Sequence, residues 1–369
     1  MTTKRKVLLF EDEDNERPLI LNALAQALPK DVDLIAFKGD GKSKTGTYEH
    51  RIKEDFKVLG GADFIICDQD LSKIPGYTGL SAQVVTELAH AEGIPIALYG
   101  RGKEDFMMER LKARRPFLER RFILHLDHVG WNAERFAHKA RIIFDGCQQI
   151  LRFLEKKTRK PSSKPTGSTP AKWMCELLGK PQIINRLDLY GSGDQQYLGW
   201  LVAAREDTAK KVTRVLAAEL GYWLWDSVLR FPGIVVNRVA AGSLLNLSPE
   251  TWDLPAVREI FAGAKYEGPF GVEKEFWWRD ELQAIVNKAG KEDGLALAKE
   301  HGIRSTKRSS CIVDPSQPAG CYCMLAEAPV SRANSFGDIP YFPSGADLAR
   351  ISRPEFAKVA PWAGLQMRR

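Results

Sequence analysis

The residues best placed to do chemistry are carboxylates that end apolar runs. Phe64-Ile65-Ile66-Cys67 leads directly into Asp68, and Val7-Leu8-Leu9-Phe10 leads into Glu11-Asp12-Glu13-Asp14. Such a run reads as a buried parallel strand reaching the carboxyl edge of a sheet, where open α/β sheets place their ligands. Side by side, Glu11, Asp12 and Asp68 would concentrate negative charge. That concentration is costly until a divalent cation or a proton neutralises it.

A second group of reactive types lies late in the chain. Cys311, Cys321 and Cys323 follow His301 and offer the thiolate and imidazole ligands that zinc takes in a tetrahedron. No Cys-x2-Cys knuckle is present, so three readings stay open: a Zn2+ site, ordinary buried thiols, or a reactive cysteine with His301 as its base. The six cysteines are too irregularly spaced for a disulfide scaffold.

The formal charge of +7 is concentrated in one stretch. Lys156, Lys157, Arg159, Lys160, Lys164 and Lys172 occur without an intervening acid, so the rest of the chain is close to neutral. A basic folded face for DNA is therefore not implied. The same stretch holds Pro161, Pro165 and Pro170 and reads as a flexible linker over 157–172. It is either a solvated connector or an arm that contacts nucleic acid or an acidic partner.

These groups need elements to position them. With 369 residues the chain has room for two domains or three. The first part alternates strand and helix patterns: strands over Val7–Phe10, Val32–Phe37, Ala62–Cys67, Ile94–Tyr99 and Arg121–Leu126, with helices over Arg17–Leu28, Tyr48–Leu59, Gly79–Glu92 and Glu104–Ala113. This alternation predicts a doubly wound, five-stranded parallel sheet over residues 1–131. A long helix follows over 132–156. Its apolar positions Phe136, Ala140, Ile143, Cys147, Ile150 and Leu154 are spaced 4, 3, 4, 3, 4. That heptad pattern suits packing on the sheet or a homodimer seam.

Residues 173–369 are expected to form a separate mixed α+β domain, and they hold eight of the nine tryptophans. A helix is expected over Asp207–Arg230, a strand over Ile234–Val239 and a helix over Glu273–Ala289; beyond Ser305 the composition reads as loop. The Trp277-Trp278 pair is read as core in preference to a partner patch. No apolar run approaches the ~20 residues of a membrane span. The N-terminus has no signal-peptide core, so a cytoplasmic location is expected.

The order of elements over about residues 4–155 resembles the receiver domain of bacterial response regulators. Glu11 and Asp12 match the acidic pair after the first strand. Asp68 takes the place of the phospho-accepting aspartate, and Pro75 and Gly79 resemble the loop that follows it. The resemblance implies that Glu11, Asp12 and Asp68 hold Mg2+ while Asp68 accepts a phosphoryl group. Two positions depart from the family. The hydroxyl after the fourth strand falls on Gly100, beside Tyr99. No Lys-Pro follows the fifth strand, where His125 is the nearest basic residue. The loop after Asp68 is also about three residues longer than the family's.

The expected function is a cytoplasmic regulatory or scaffold protein of two-component signalling, acting as a homodimer, whose receiver domain, working or degenerate, controls or positions a C-terminal effector and a protein partner. Two alternatives stand beside it. One is an enzyme or zinc-binding effector in residues 173–369. The other is a nucleic-acid-associated factor using the basic linker.

Overall fold

The computed structural model describes residues 4–38, 50–52, 54–55, 61–77, 79–100, 122–125, 132–158, 169–191, 209–271, 275–339 and 342–363. The chain divides into two compact units. One comprises residues 1–103, 119–168 and 197–222; the other comprises 104–118, 169–196 and 223–369.

The first unit is mixed α/β. Its strands are β1 (Arg5–Phe10), β2 (Val32–Ala36), β3 (Phe64–Asp68) and β4 (Ile96–Gly100), all parallel in the spatial order β2-β1-β3-β4. Beyond β4, Phe122–His125 runs parallel to it, with Ala97 opposite Phe122. Val7–Phe10 and Phe64–Cys67 are completely buried, so these strands are apolar on both faces, as parallel sheets covered by helices require.

Strand alternation sorts the buried side chains between two faces. Leu8, Phe10, Ile65, Cys67, Ile96 and Leu98 pack with Val85, Leu88 and Ala89 of the helix Ala82–Glu92. That helix ends at Gly93, which is left-handed at φ 66°. The opposite face carries Phe64, whose ring meets Phe144 edge-on at 6.0 Å, and Tyr99, whose ring meets Phe136 at 5.0 Å. There the helices α1 (Arg17–Ala27) and Ala133–Thr158 pack against each other.

The long helix therefore has its apolar stripe occupied within the chain. Phe136, Ala140, Ile143, Cys147, Ile150 and Leu154 are each 3% exposed or less. This corrects the expectation of a dimer seam: the heptad spacing reflects packing inside the first unit, which a seam and a core helix share.

A second correction concerns the helix expected within the C-terminal domain. It spans Ala209–Trp223, and residues 209–222 belong to the first unit. The Tyr222 hydroxyl accepts the Ile96 N–H at 2.9 Å, and its ring lies 4.8 Å from that of Phe122. Arg214 donates to the Ala62 carbonyl and lies 3.9 Å from the Asp63 carboxylate. A β-carbon at Gly93 would stand 2.6 Å from the Val215 backbone nitrogen, so glycine permits this close approach. The helix continues as a π-helix over Leu224–Leu229.

In the second unit, Val235–Asn237 pairs antiparallel with Phe276–Trp278. Each strand is followed directly by a helix, Arg238–Leu244 and Arg279–Lys288, so the expected strand and helix are both shorter than their patterns. Trp252, Phe261, Tyr266, Trp277 and Trp278 are buried in an aromatic core. The loop expectation beyond Ser305 is overturned. Gly320–Cys323, Ala328–Ser331, Ser335–Phe336 and Ala349–Ser352 form a four-stranded sheet, and the helix Arg353–Ala363 follows. The expected helix over Glu104–Ala113 lies outside the described residues, as does most of the one over Tyr48–Leu59.

Ile150 is fully buried within one chain. Ile150→Ala should therefore cost ~2–5 kcal/mol of stability, as buried aliphatic truncations do. Denaturant melts over a wide range of protein concentration should show the same loss throughout; a loss that depends on concentration would place the residue at an intermolecular seam.

Candidate functional site

Parallel pairing sets Phe10 of β1 opposite Cys67 of β3. The next residue on each strand is acidic, so Glu11 and Asp68 emerge together at the carboxyl edge. Asp12 joins them, and the three offer carboxylate oxygens within 4.8 Å of one another. Among the described residues this is the only such grouping of three or more His, Cys, Asp or Glu side chains. Glu11 is fully buried, Asp12 nearly so, and Asp68 lies half-buried at the mouth.

Donors from β4, from the turn after β1 and from the loop after Asp68 hold the carboxylates. The Tyr99 hydroxyl, on β4, donates to Glu11 Oε2 at 2.8 Å, and the Glu13 N–H donates to Oε1 at 2.8 Å. Asp12 Oδ2 accepts the Lys73 backbone N–H at 2.8 Å. Asp68 Oδ1 accepts the Asp70 N–H at 3.3 Å. The loop that brings Lys73 into place is anchored from below by buried Leu71, Ile74, Tyr77 and Leu80.

The nearby cations serve other acids. Lys73 Nζ pairs with Glu13, and Arg17 pairs with Asp14 at 2.7 Å. Among the described residues, Glu11, Asp12 and Asp68 have no Lys, Arg or His within ion-pair distance. Among these residues the negative charge of the cluster is uncompensated. Burial, then the charge of Glu11, pushes the Asp68 carboxyl up to about 7, with Asp12 adding to the rise; the N–H groups of Asp70 and Gln69 oppose it. Burial and the same Glu11 charge hold the Tyr99 phenol protonated, which keeps it a donor.

Gly100 ends β4 beside this cluster. A β-carbon there would run into the side chain of Gln69, which folds across the glycine. The space that a side chain at 100 would fill is thus taken by the residue following Asp68. The side chain of His125 lies outside the described residues.

Tyr99, Gln69 and Lys73 were not identified from sequence. Only Tyr99 left a signal, a hydroxyl closing an otherwise apolar strand. The Lys73 contact is made by a backbone N–H, to which side-chain identity is blind.

The late Cys/His group does not converge. His301 is exposed, and no set of three among His301, Cys311, Cys321 and Cys323 brings its ligand atoms together. Cys323 Sγ instead accepts the Ser352 N–H at 3.2 Å and the Ala326 N–H at 3.4 Å. Burial raises the Cys321 thiol. At Cys311 burial is outweighed by hydrogen bonds from Ser331 and from the backbone of Asp314 and Val313, and the thiol is lowered. The zinc reading is therefore corrected: these are buried thiols whose sulfur atoms do not converge on one point.

The basic stretch is also divided. Lys156 and Lys157 are exposed on the last turn of the helix Ala133–Thr158, and Lys172 is exposed on the helix Pro170–Leu177. Arg159, Lys160 and Lys164 lie outside the described residues. Among the described residues no helix is long and apolar enough to cross a membrane. No protein-family model matches the chain, and no curated protein or solved structure matches it.

The Asp68 carboxyl is raised from an ordinary 3.8 to about 7 on folding. Its contribution favours the fold in full below the unfolded value and is lost as pH rises through the folded one. Asp68→Asn should therefore match the native chain in stability near pH 4. At pH 8 it should exceed it by on the order of 1–2 kcal/mol, a figure reduced for solvent screening at the mouth. Urea melts at the two pH values check this, and equal stabilities at pH 8 would show that the carboxylate cluster is not strained.

Proposed function

We propose that the first unit is a receiver-like phospho-acceptor module, and that the chain is a regulatory protein whose output depends on the state of Asp68. The observation that carries this reading is the convergence of Glu11, Asp12 and Asp68 at the carboxyl edge of a parallel sheet, with no neutralising side chain among the described residues. The strand order β2-β1-β3-β4, with Phe122–His125 beyond β4, is the arrangement the resemblance implies.

The donor set fits a hard divalent cation. Three carboxylates supply oxygen ligands only, and Mg2+ is bound through few carboxylates with water or phosphate oxygens completing its shell. Bound there, Mg2+ would neutralise charge and orient a phosphoryl donor. Asp68 is the nucleophile of the three because it lies at the mouth. Its carboxylate oxygen forms the new bond to phosphorus, and the leaving group departs with the electron pair of the bond that breaks. Tyr99 and the Glu13 N–H fix Glu11, and the Lys73 N–H fixes Asp12, so neither ligand must reorganise.

The observation at Gly100 favours a second reading of how the module signals. With no hydroxyl at 100 and Gln69 folded over it, the usual hydroxyl-and-lysine response does not operate unchanged. A module that docks a partner irrespective of phosphorylation accommodates this.

Incubation with a small acyl phosphate and Mg2+, followed by intact-mass measurement, should add one phosphoryl group to the chain. Asp68→Asn and omission of Mg2+ should each abolish the adduct. An unmodified wild-type chain would sink the acceptor reading and leave docking.

A further inference from the structure

Lys73 is attached to the acidic site through its backbone, while its side chain serves another acid. Its N–H donates to Asp12 Oδ2 at 2.8 Å, and Asp12 and Asp68 offer oxygens within 4.8 Å of each other. Its flanking residues are held as well. Leu71 and Ile74 are buried in the core, and the Ser72 N–H donates to Asp70 Oδ1 at 3.0 Å. The stem of Lys73 therefore starts from a fixed point at the cluster.

The far end of the stem is not fixed in this way. The ammonium pairs with Glu13, and the Lys73 side chain is exposed. An exposed lysine–carboxylate pair contributes little to stability, so it is readily exchanged. Arg17, the other cation beside the site, is less free. Its Nε donates to the Glu11 carbonyl at 3.0 Å and its Nη1 to Asp14 at 2.7 Å, and its side chain is largely buried.

We propose, resting on the acceptor reading of Asp68, that Lys73 is the cation that binds the transferred phosphoryl group, its ammonium exchanging the Glu13 carboxylate for phosphoryl oxygens. A phosphoryl group carries close to two negative charges near neutral pH, against one on Glu13. It arrives where three carboxylates already repel it. An ammonium on a flexible stem can follow it there while the backbone N–H stays on Asp12. In the transfer the Asp68 oxygen bonds to phosphorus. The phosphorus–oxygen bond of the donor breaks, its electron pair leaves on the donor's carboxylate, and Lys73 keeps its protons. The exchange strips Glu13 of its cation. The mouth of the site then presents a different charge pattern in the two states, with no hydroxyl needed at Gly100.

Formation of the adduct from acetyl phosphate and Mg2+, followed over time by intact mass on the full chain, tests this. Lys73→Met removes the ammonium, leaves the backbone N–H in place and should slow formation roughly tenfold; Lys73→Arg, which keeps the charge, should restore most of the rate. Glu13→Gln releases the ammonium and should speed formation, and that gain should be sharply reduced in the Lys73→Met background. Urea melts establish that each variant is folded. An adduct that forms in the native chain, and at the same rate in folded Lys73→Met, would overturn the role of Lys73 and leave Asp68 as acceptor. A Glu13→Gln gain undiminished without Lys73 would overturn the exchange. No adduct in the native chain would overturn the acceptor reading and this inference with it.

Discussion

Phe10 and Cys67 stand opposite each other in adjacent parallel strands, and the next residue on each strand is a carboxylate. Backbone pairing between two completely buried strands sets that juxtaposition, so the acids cannot separate without breaking the sheet. A one-residue slip would exchange the buried side chains of β1 between two differently packed faces, which disfavours it. Repulsion among Glu11, Asp12 and Asp68 is therefore sustained by core burial elsewhere. The fold meets it with N–H and O–H donors from three different segments, and Asp68 meets the remainder by holding its proton to higher pH.

The helices are arranged around the same strands. Ala133–Thr158 and α1 lie on the face that carries Phe64 and Tyr99, while Ala82–Glu92 covers the other. Tyr99 joins the two roles: its ring packs on Phe136 and its hydroxyl orients Glu11. The helix Ala209–Trp223 adds Tyr222, which satisfies the first N–H of β4. The strand that borders the acidic site is thereby tied to chain more than a hundred residues away.

The second unit is organised by aromatic burial and by a small four-stranded sheet. Trp252 packs on Trp277, and Tyr266 on Trp278. Where the chain turns through Ser331–Gly337, side-chain hydroxyls and amides bond to backbone and to one another. Arg350 joins that network through its hydrogen bonds to Ser335, while Arg279 and Arg258 pair with carboxylates.

By itself the sequence determined the strands β1 to β4 and the helices Arg17–Ala27, Ala82–Glu92 and Ala133–Thr158, because buried parallel strands and amphipathic helices have distinct periods. It also determined that Glu11, Asp12 and Asp68 end strands. Tertiary structure decided what those patterns pack against. A heptad stripe is the same whether it meets another copy or its own sheet, and the apolar face of Ala209–Trp223 does not state which core it serves. The strands after Gly320 escaped notice because they are two to four residues long, too short for a period to emerge. The cysteines near them could be separated only in space, since ligand geometry depends on backbone direction and not on sequence spacing. Tyr99 over Glu11, Gln69 over Gly100 and Arg350 over Gly337 are contacts between residues that only folding makes neighbours.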